Sequence, residues 1–397
     1  MDVYKLSFLY QLYMNDLTIN EDTSFIGSDE NTMNETLTNK QVAFILFGFI
    51  VGYGVMGLPK NVAENAGTGA WIALMISTFF AIMITYIILY LGYIHENKTL
   101  YEYSELLVGK FLTTVFVIIY TIEFFIFFTM ITRSSSEIIR LTVLIKTPSW
   151  ALCSTILLVV LYAVIKRLKV IARICEIYGI IIILTYIIVF FLISTQGNLL
   201  NIRPLFEVSN ISTYLKASLV TTLPFMGMEI LTVIPFSRKQ NNKRVFKYAA
   251  FMMLFIGFLY IFAVESCISV MGVESIIHFK DSLLATVRRV DIRWLQFLRR
   301  LDGLMLVVWI MSIYCTLAVL GYGTVYLVNK LFKKANFNLL AAIIFTLSFI
   351  ISQLPSSFQE LEEILNYTTY IGILTGIFIP GLLLIVTKVK KYDKKVK

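Results

Sequence analysis

Ten stretches of this chain are dominated by apolar side chains for seventeen to thirty residues at a time, and no other feature narrows its fold as much. They cover residues 41–58, 69–94, 112–141, 149–165, 170–193, 217–236, 246–271, 301–328, 337–353 and 366–387. A helix of about 20 residues crosses the ~30 Å hydrocarbon core of a bilayer, where every backbone polar group must find a partner inside the protein. Of 397 residues, 58% are hydrophobic and only 15% charged. A soluble fold of that length has too little interior for so much apolar surface. The chain therefore reads as one all-α polytopic domain over residues 41–387, embedded in a lipid bilayer.

The charges between these stretches orient them. With the N-terminus placed in the cytoplasm, twenty basic residues fall on the inner side. They include Lys166, Arg167, Lys169 and Arg173 in one loop and Arg238, Lys239, Lys243, Arg244 and Lys247 in another. Twelve fall outside, six of them in the single loop 272–300. Cytoplasmic loops carry the excess of Lys and Arg, so both termini are expected to be cytoplasmic. The net charge of +9 is thus an orientation signal, not a nucleic-acid-binding face. Residues 1–40 are polar and hold seven acidic residues against Lys5 and Lys40, the composition of a flexible tail. Met33 would make a natural start, so residues 1–32 read as an extension. Residues 388–397 form a basic cytoplasmic tail suited to anionic headgroups.

Chemistry of the catalytic or metal-binding kind has no foothold here. Cys153, Cys175, Cys267 and Cys315 all lie in apolar stretches with no CxxC and no metal spacing, as small packing residues do. His95 and His278 fall in opposite loops. No hydrolase triad or phosphate loop is present, so neither an enzyme, a metal nor a cofactor is expected.

Two stretches, five apart in the series of ten, are interrupted. The first contains "VGYGVMG", with Gly52, Tyr53, Gly54, Val55 and Gly57, followed by Pro59. The sixth contains "TTLPFMGMEILTVIPF", with Thr222, Pro224, Phe225, Gly227 and Glu229. Gly costs about 1 kcal/mol and Pro about 3 in a helix interior. Breaks at corresponding positions of two five-helix halves are the sequence mark of a transporter-type binding site, with the halves inverted and the breaks meeting near the midplane. Half-helix N-termini there attract a carboxylate, and freed carbonyls attract a cation, which suits a zwitterion. Close helix packing through small residues is the alternative use of such glycines.

Ionisable residues inside the membrane default to function. Glu229 follows the second break by two residues and is placed to meet a ligand ammonium, or else a neighbouring helix. Glu123 lies on the third stretch with Tyr120 one turn away, facing a cavity or a buried partner. Asp302 is expected to pair locally with Arg299 and Arg300, and Arg133, Glu137 and Arg140 to form an ion-pair ladder. Glu265 and Ser266 fit a relay or a structural hydrogen bond equally. Ser312 and Thr316 share a helix face but are four apart, a poor match to a sodium-binding hydroxyl pair. The fifth stretch has no central lysine to serve a proton instead.

Three segments carry a family resemblance. "GVMGLPKNVAENAGTGAW" at 54–71 is similar to the first-helix signature of the amino acid–polyamine–organocation superfamily. "PFMGMEIL" at 224–231 and "FLRRLDGLMLVVWIMSIY" at 297–314 resemble the spore germination receptor B-subunits, the GerAB/GerKB-like permease family. The likeness runs from about residue 33 onward, and Arg299 stands where an acidic residue is expected. It implies a LeuT-type fold and a germinant receptor subunit in the inner membrane of an endospore. Such a subunit would bind a small germinant, an amino acid by preference, beside A-type and C-type partner subunits. The competing functions are a proton- or sodium-coupled amino acid transporter and a non-binding scaffold or ion conduit.

Overall fold

The computed structural model describes residues 37–206, 211–238, 241–290 and 301–392. The expected tail up to residue 36, Arg299, Arg300 and the end of the basic tail lie outside the described residues. Every regular element among the described residues is helical. Helix α1, Asn39–Gly54, starts at a capping box in which Thr38 Oγ1 accepts from the Gln41 N–H and Gln41 Oε1 accepts from the Thr38 N–H. Its residues from Val42 to Gly52 are buried on every side, which is why it is apolar all round.

The chain turns through Val55–Gly57 and resumes as α2, Leu58–Ala66, with Pro59 in the first turn, where a missing N–H removes no intrahelical bond. The first interrupted segment is therefore longer than the apolar stretch 41–58. Helix α2 is amphipathic: Leu58, Val62, Ala63 and Ala66 are buried, while Asn61, Glu64 and Asn65 are exposed. That polar face hid the second half from an apolar window.

Helices α3 (Ala70–Ile94), α4 (Leu100–Val108), α5 (Lys110–Thr142), α6 (Ser149–Ile165) and α7 (Arg167–Ser194) follow. The second interrupted segment is α8, Ile211–Thr221, then two 3-10 turns, Leu223–Phe225 and Met228–Val233. After it come α9 (Arg244–Met271), the short α10 (Val273–Ile276) and α11 (Ser282–Arg289), α12 (Leu301–Leu331), α13 (Phe337–Ser352) and α14 (Phe358–Ile373). Helix α14 passes through a π-helical turn, Leu374–Phe378, into α15, Ile379–Val389. Among the described residues, six helical runs are long and apolar enough to cross a membrane: Leu58–Ile94, Lys110–Thr142, Arg167–Ser194, Arg244–Met271, Leu301–Leu331 and Phe358–Val389. Large apolar side chains such as Phe79, Phe111, Leu158, Phe191, Phe251 and Tyr367 are exposed, as lipid-facing residues are in a multi-pass protein.

Helix α1 is the axis of the bundle, enclosed by α7, α9 and α12. At its N-terminal end Lys40 meets Glu176 at 2.7 Å, and Asn241 donates to the Leu37 carbonyl at 2.8 Å. Helix α4 has a second capping box, Thr99 with Glu102. Burial alone would raise the Glu102 carboxyl, but Lys330 at 2.6 Å and the hydrogen bonds from Thr99 hold it below the usual range. The ladder is present, with Arg133 and Arg140 at 3.0 and 2.8 Å from Glu137. Asp302 pairs with Arg288 of α11, at 3.9 Å on the surface. The four cysteines are free and buried.

Candidate ligand site at the two helix breaks

A broken helix leaves orphan backbone groups, and each break can be read by asking where they go. Just before the first break, within α1, Thr316 of α12 donates its hydroxyl toward the carbonyls of Gly48 and Phe49, both at 3.0 Å. The Ile50 carbonyl accepts from the Tyr260 hydroxyl at 3.0 Å. The start of α11 adds two more: Met56 O accepts from the Leu283 N–H at 3.2 Å, and the Lys60 N–H donates to Ser282 Oγ at 3.0 Å. In the second break Pro224 O also accepts from Tyr260, at 3.2 Å, and the Gly227 N–H donates to Glu229 Oε2 at 2.9 Å. One phenol on the unbroken helix α9 thus ties the two breaks together. No periodicity or spacing marks Tyr260 in the sequence, because it is a single tyrosine in an apolar helix.

The breaks meet at Gly54. A Cβ there would stand 3.0 Å from the Tyr260 hydroxyl and 3.2 Å from Pro224 O, so any side chain would crowd this approach. Gly227 has φ +127°, open to glycine alone, and packs on the Phe49 ring. Tyr53, Gly54, Gly57, Thr222 and Pro224 keep partial exposure and form the accessible wall of the breaks. Val55 and Phe225 are buried behind it, Phe225 edge-on to Tyr260 with centroids 5.1 Å apart. Tyr53 meets Phe127 of α5 edge-on at 5.9 Å. Gly52 faces away, against Thr316 and the Ser312 carbonyl, and serves the close packing of α1 on α12. Of the pair Ser312 and Thr316, the Thr316 hydroxyl faces α1, and Ser312 meets it through its carbonyl.

Glu123, Tyr120 and Glu229 form a second group, joined to the first through the Gly227–Glu229 hydrogen bond. All three are buried and converge on the π-helical turn of α14. The Tyr120 hydroxyl donates to Thr375 O at 2.5 Å. A Cβ at Gly372 would lie 2.9 Å from Glu123 Oε1, and one at Gly376 would lie 3.8 Å from Glu229 Oε2. The signal for this turn in the sequence was "TGIFIP": Pro380, in the first turn of α15, has no N–H to donate back, so the hydrogen-bond ladder widens there.

The comparisons with known proteins agree with this architecture. The family described as "Spore germination protein" matches residues 36–360. Spore germination protein YndE of Bacillus subtilis (strain 168) is 26% identical over 361 residues, 90% of this chain and 98% of that protein. Spore germination protein A2 of the same strain is 24% identical, covering 87% of this chain and 94% of its own. Among solved structures, a Na+-coupled sialic acid symporter in a substrate-bound outward-open state superposes with a TM-score of 0.62 at 13% identity, over 88% of this chain and 78% of its own. The nucleobase-cation-symport-1 family transporter MHP1, in a closed conformation, gives 0.61 at 10% identity over 89% and 78%. At such identities the likeness establishes the fold, which is that of the LeuT-type transporters.

Proposed function

We infer the function from an established membership: this chain belongs to the spore germination permease family, whose fold here is a transporter's and not an enzyme's. It acts, on our reading, as the membrane subunit of an endospore germinant receptor. A small germinant, an amino acid, binds at the meeting of the two breaks and biases their geometry. That change passes to A-type and C-type partner subunits at the inner spore membrane, with both termini in the cytoplasm. The observation that carries this reading is the approach of Gly54 to Pro224 under Tyr260, beside an accessible wall and the carboxylate of Glu229. The start of α2 offers a positive helix end to a carboxylate, and Glu229 offers charge to an ammonium.

Saturable binding of one member of a panel of labelled amino acids to the purified protein, matched by germination of spores to the same compound, is the expected result. A spore that germinates normally with this subunit deleted, toward every amino acid tested, would overturn the assignment. A secondary amino acid transporter is the second reading, supported by the shared fold with a Na+-coupled symporter. Accumulation of the bound amino acid inside proteoliposomes under an ion gradient separates the two readings, since a receptor binds without concentrating its ligand.

A further inference from the structure

Glu123 and Glu229 pose an electrostatic problem that the protein does not solve with its own side chains. Their exposures are 4% and 2%, deep in the apolar bundle, and both reach the same stretch of chain: a Cβ on Gly372 would lie 2.9 Å from Glu123 Oε1 and one on Gly376, four residues on, 3.8 Å from Glu229 Oε2. No Lys, Arg or His among the described residues forms an ion pair with either. Two neighbouring carboxylates in such a medium cannot both stay charged without a counter-cation. The other ionisable group on the pair is Tyr120, whose hydroxyl is committed to Thr375 O, with Tyr103 beyond it. The groups recorded at or next to the pair are apolar or neutral: Met226 shares the space at Gly372 with Glu123, Phe49 of α1 lies against Gly227, Thr85 of α3 donates to Met228 Sδ, and Gly323 of α12 lies against Phe124 and Ile230. The acidic residues of α14 stop at Glu363, roughly 13 Å along the helix from Gly372 at ~1.5 Å per residue.

Two further observations point into this spot. Glu123 Oε2 is buried and accepts no hydrogen bond, whereas Glu229 Oε2 accepts from the Gly227 N–H. Gly376 is buried, yet a Cβ built on it would find only Glu229 Oε2 within 4 Å. Open space of about a methyl group's size therefore lies beside the carboxylate.

We propose that Glu123, Glu229 and the space at Gly376 form an exchangeable cation site, which holds one proton on Glu123 in the ligand-free protein and takes an ammonium group in its place, with a net charge of −1 in both states. The proton leaves to solvent as the ammonium enters, so charge in the site is conserved. The exchange rests on the receptor reading only in naming an ammonium as the incoming cation. The site touches the second break directly, because Glu229 Oε2 accepts the Gly227 N–H.

Infrared difference spectroscopy on the full-length protein in lipid nanodiscs tests this at constant pH, with methylammonium chloride as the probe. The expected spectrum shows a protonated-carboxyl carbonyl band that methylammonium removes saturably and that sodium or potassium chloride at equal strength leaves in place. Glu123→Gln should lack the band. Glu229→Gln should keep it but no longer respond to methylammonium. The wild-type difference spectrum needs no variant, so a Glu123→Gln chain that fails to fold does not blunt the test. Absence of a methylammonium-sensitive band overturns the proposal, and so does equal displacement by sodium or potassium. A sensitive band in a protein that binds no amino acid would leave the exchange standing and sink the receptor reading; amino acid binding without the band would do the reverse.

Discussion

Glu229 concentrates more consequence than any other single residue, because its carboxylate holds the Gly227 N–H at the break and faces the space at Gly376. Glu229→Gln keeps the shape and removes the charge. A charge-assisted hydrogen bond to a ligand ammonium is worth about 1.5–3 kcal/mol, which is roughly a ten- to hundredfold rise in the germinant concentration needed. Dose–response midpoint and subunit abundance should be measured on the same spores. Lower abundance with an unmoved midpoint would make Glu229 a packing partner only. At the C-terminal end of α3, His95 stacks on Tyr103 with centroids 5.4 Å apart. Burial first, and then Lys98, lower its value from 6.5 to about 4. The unfolded chain takes up a proton below about 6.5 and the folded chain only near 4, so this site's contribution to stability is full above 6.5 and lost as pH falls toward 4. His95→Phe keeps the stacking and should flatten the fall in melting temperature between neutral pH and pH ~5. An unchanged pH profile would exclude His95 as its source.

The broken elements differ in how they tolerate change. At Gly54 the neighbours are a phenol oxygen and Pro224 at 3.0–3.4 Å, and the backbone is helical, so Gly54→Val crowds the meeting point without forbidding the fold. Membrane-inserted subunit with no germinant response is the expected outcome, checked by fractionation and a germination assay. A normal response at unchanged concentration would remove Gly54 from the site. Gly227 behaves otherwise. Its φ of +127° and the Phe49 ring against it strain any side chain, so Gly227→Leu should cut the amount of protein as well as its response, as immunoblots of spore membranes would record. The π-helical turn of α14 belongs to the same class of irregular backbone held inside protein, where the carbonyl of Thr375 is served by Tyr120.

For the molecule as a whole, the family match begins at residue 36 and the capping box that starts α1 is built from Thr38 and Gln41. Nothing before that cap is needed to begin the first helix. Deleting residues 2–32 should therefore leave insertion and germination nearly intact. Loss of both in the truncated chain would show that the segment takes part in assembly. The start of α11 is the opposite case: Ser282 and Leu283 bind Met56 and Lys60 across the first break, which ties α11 to the break.

Class, membrane embedding and the two breaks were legible from residue types, because ~20-residue apolar runs and glycines with proline at matched places have few physical outcomes. The ladder at Arg133, Glu137 and Arg140 was legible for the same reason: its partners are local, set by the helix repeat. The extent of the first broken helix was not, since α2 is amphipathic and its polar face resembles a loop in composition. Nor could sequence divide the predicted site residues. Gly52 turns to α12, Gly54 to Pro224, and Glu123 with Glu229 to Gly372 and Gly376, though all belong to the same two kinds of residue. Which face a glycine offers, and which carboxylates become neighbours across 106 positions, depend on how α5, the second break and α14 pack. Tyr260 is the clearest instance: an ordinary tyrosine in sequence, it holds both breaks only because α9 crosses them where its hydroxyl reaches the Ile50 and Pro224 carbonyls. Local chemistry announces itself in residue order; the meeting of distant orphan groups is settled by packing alone.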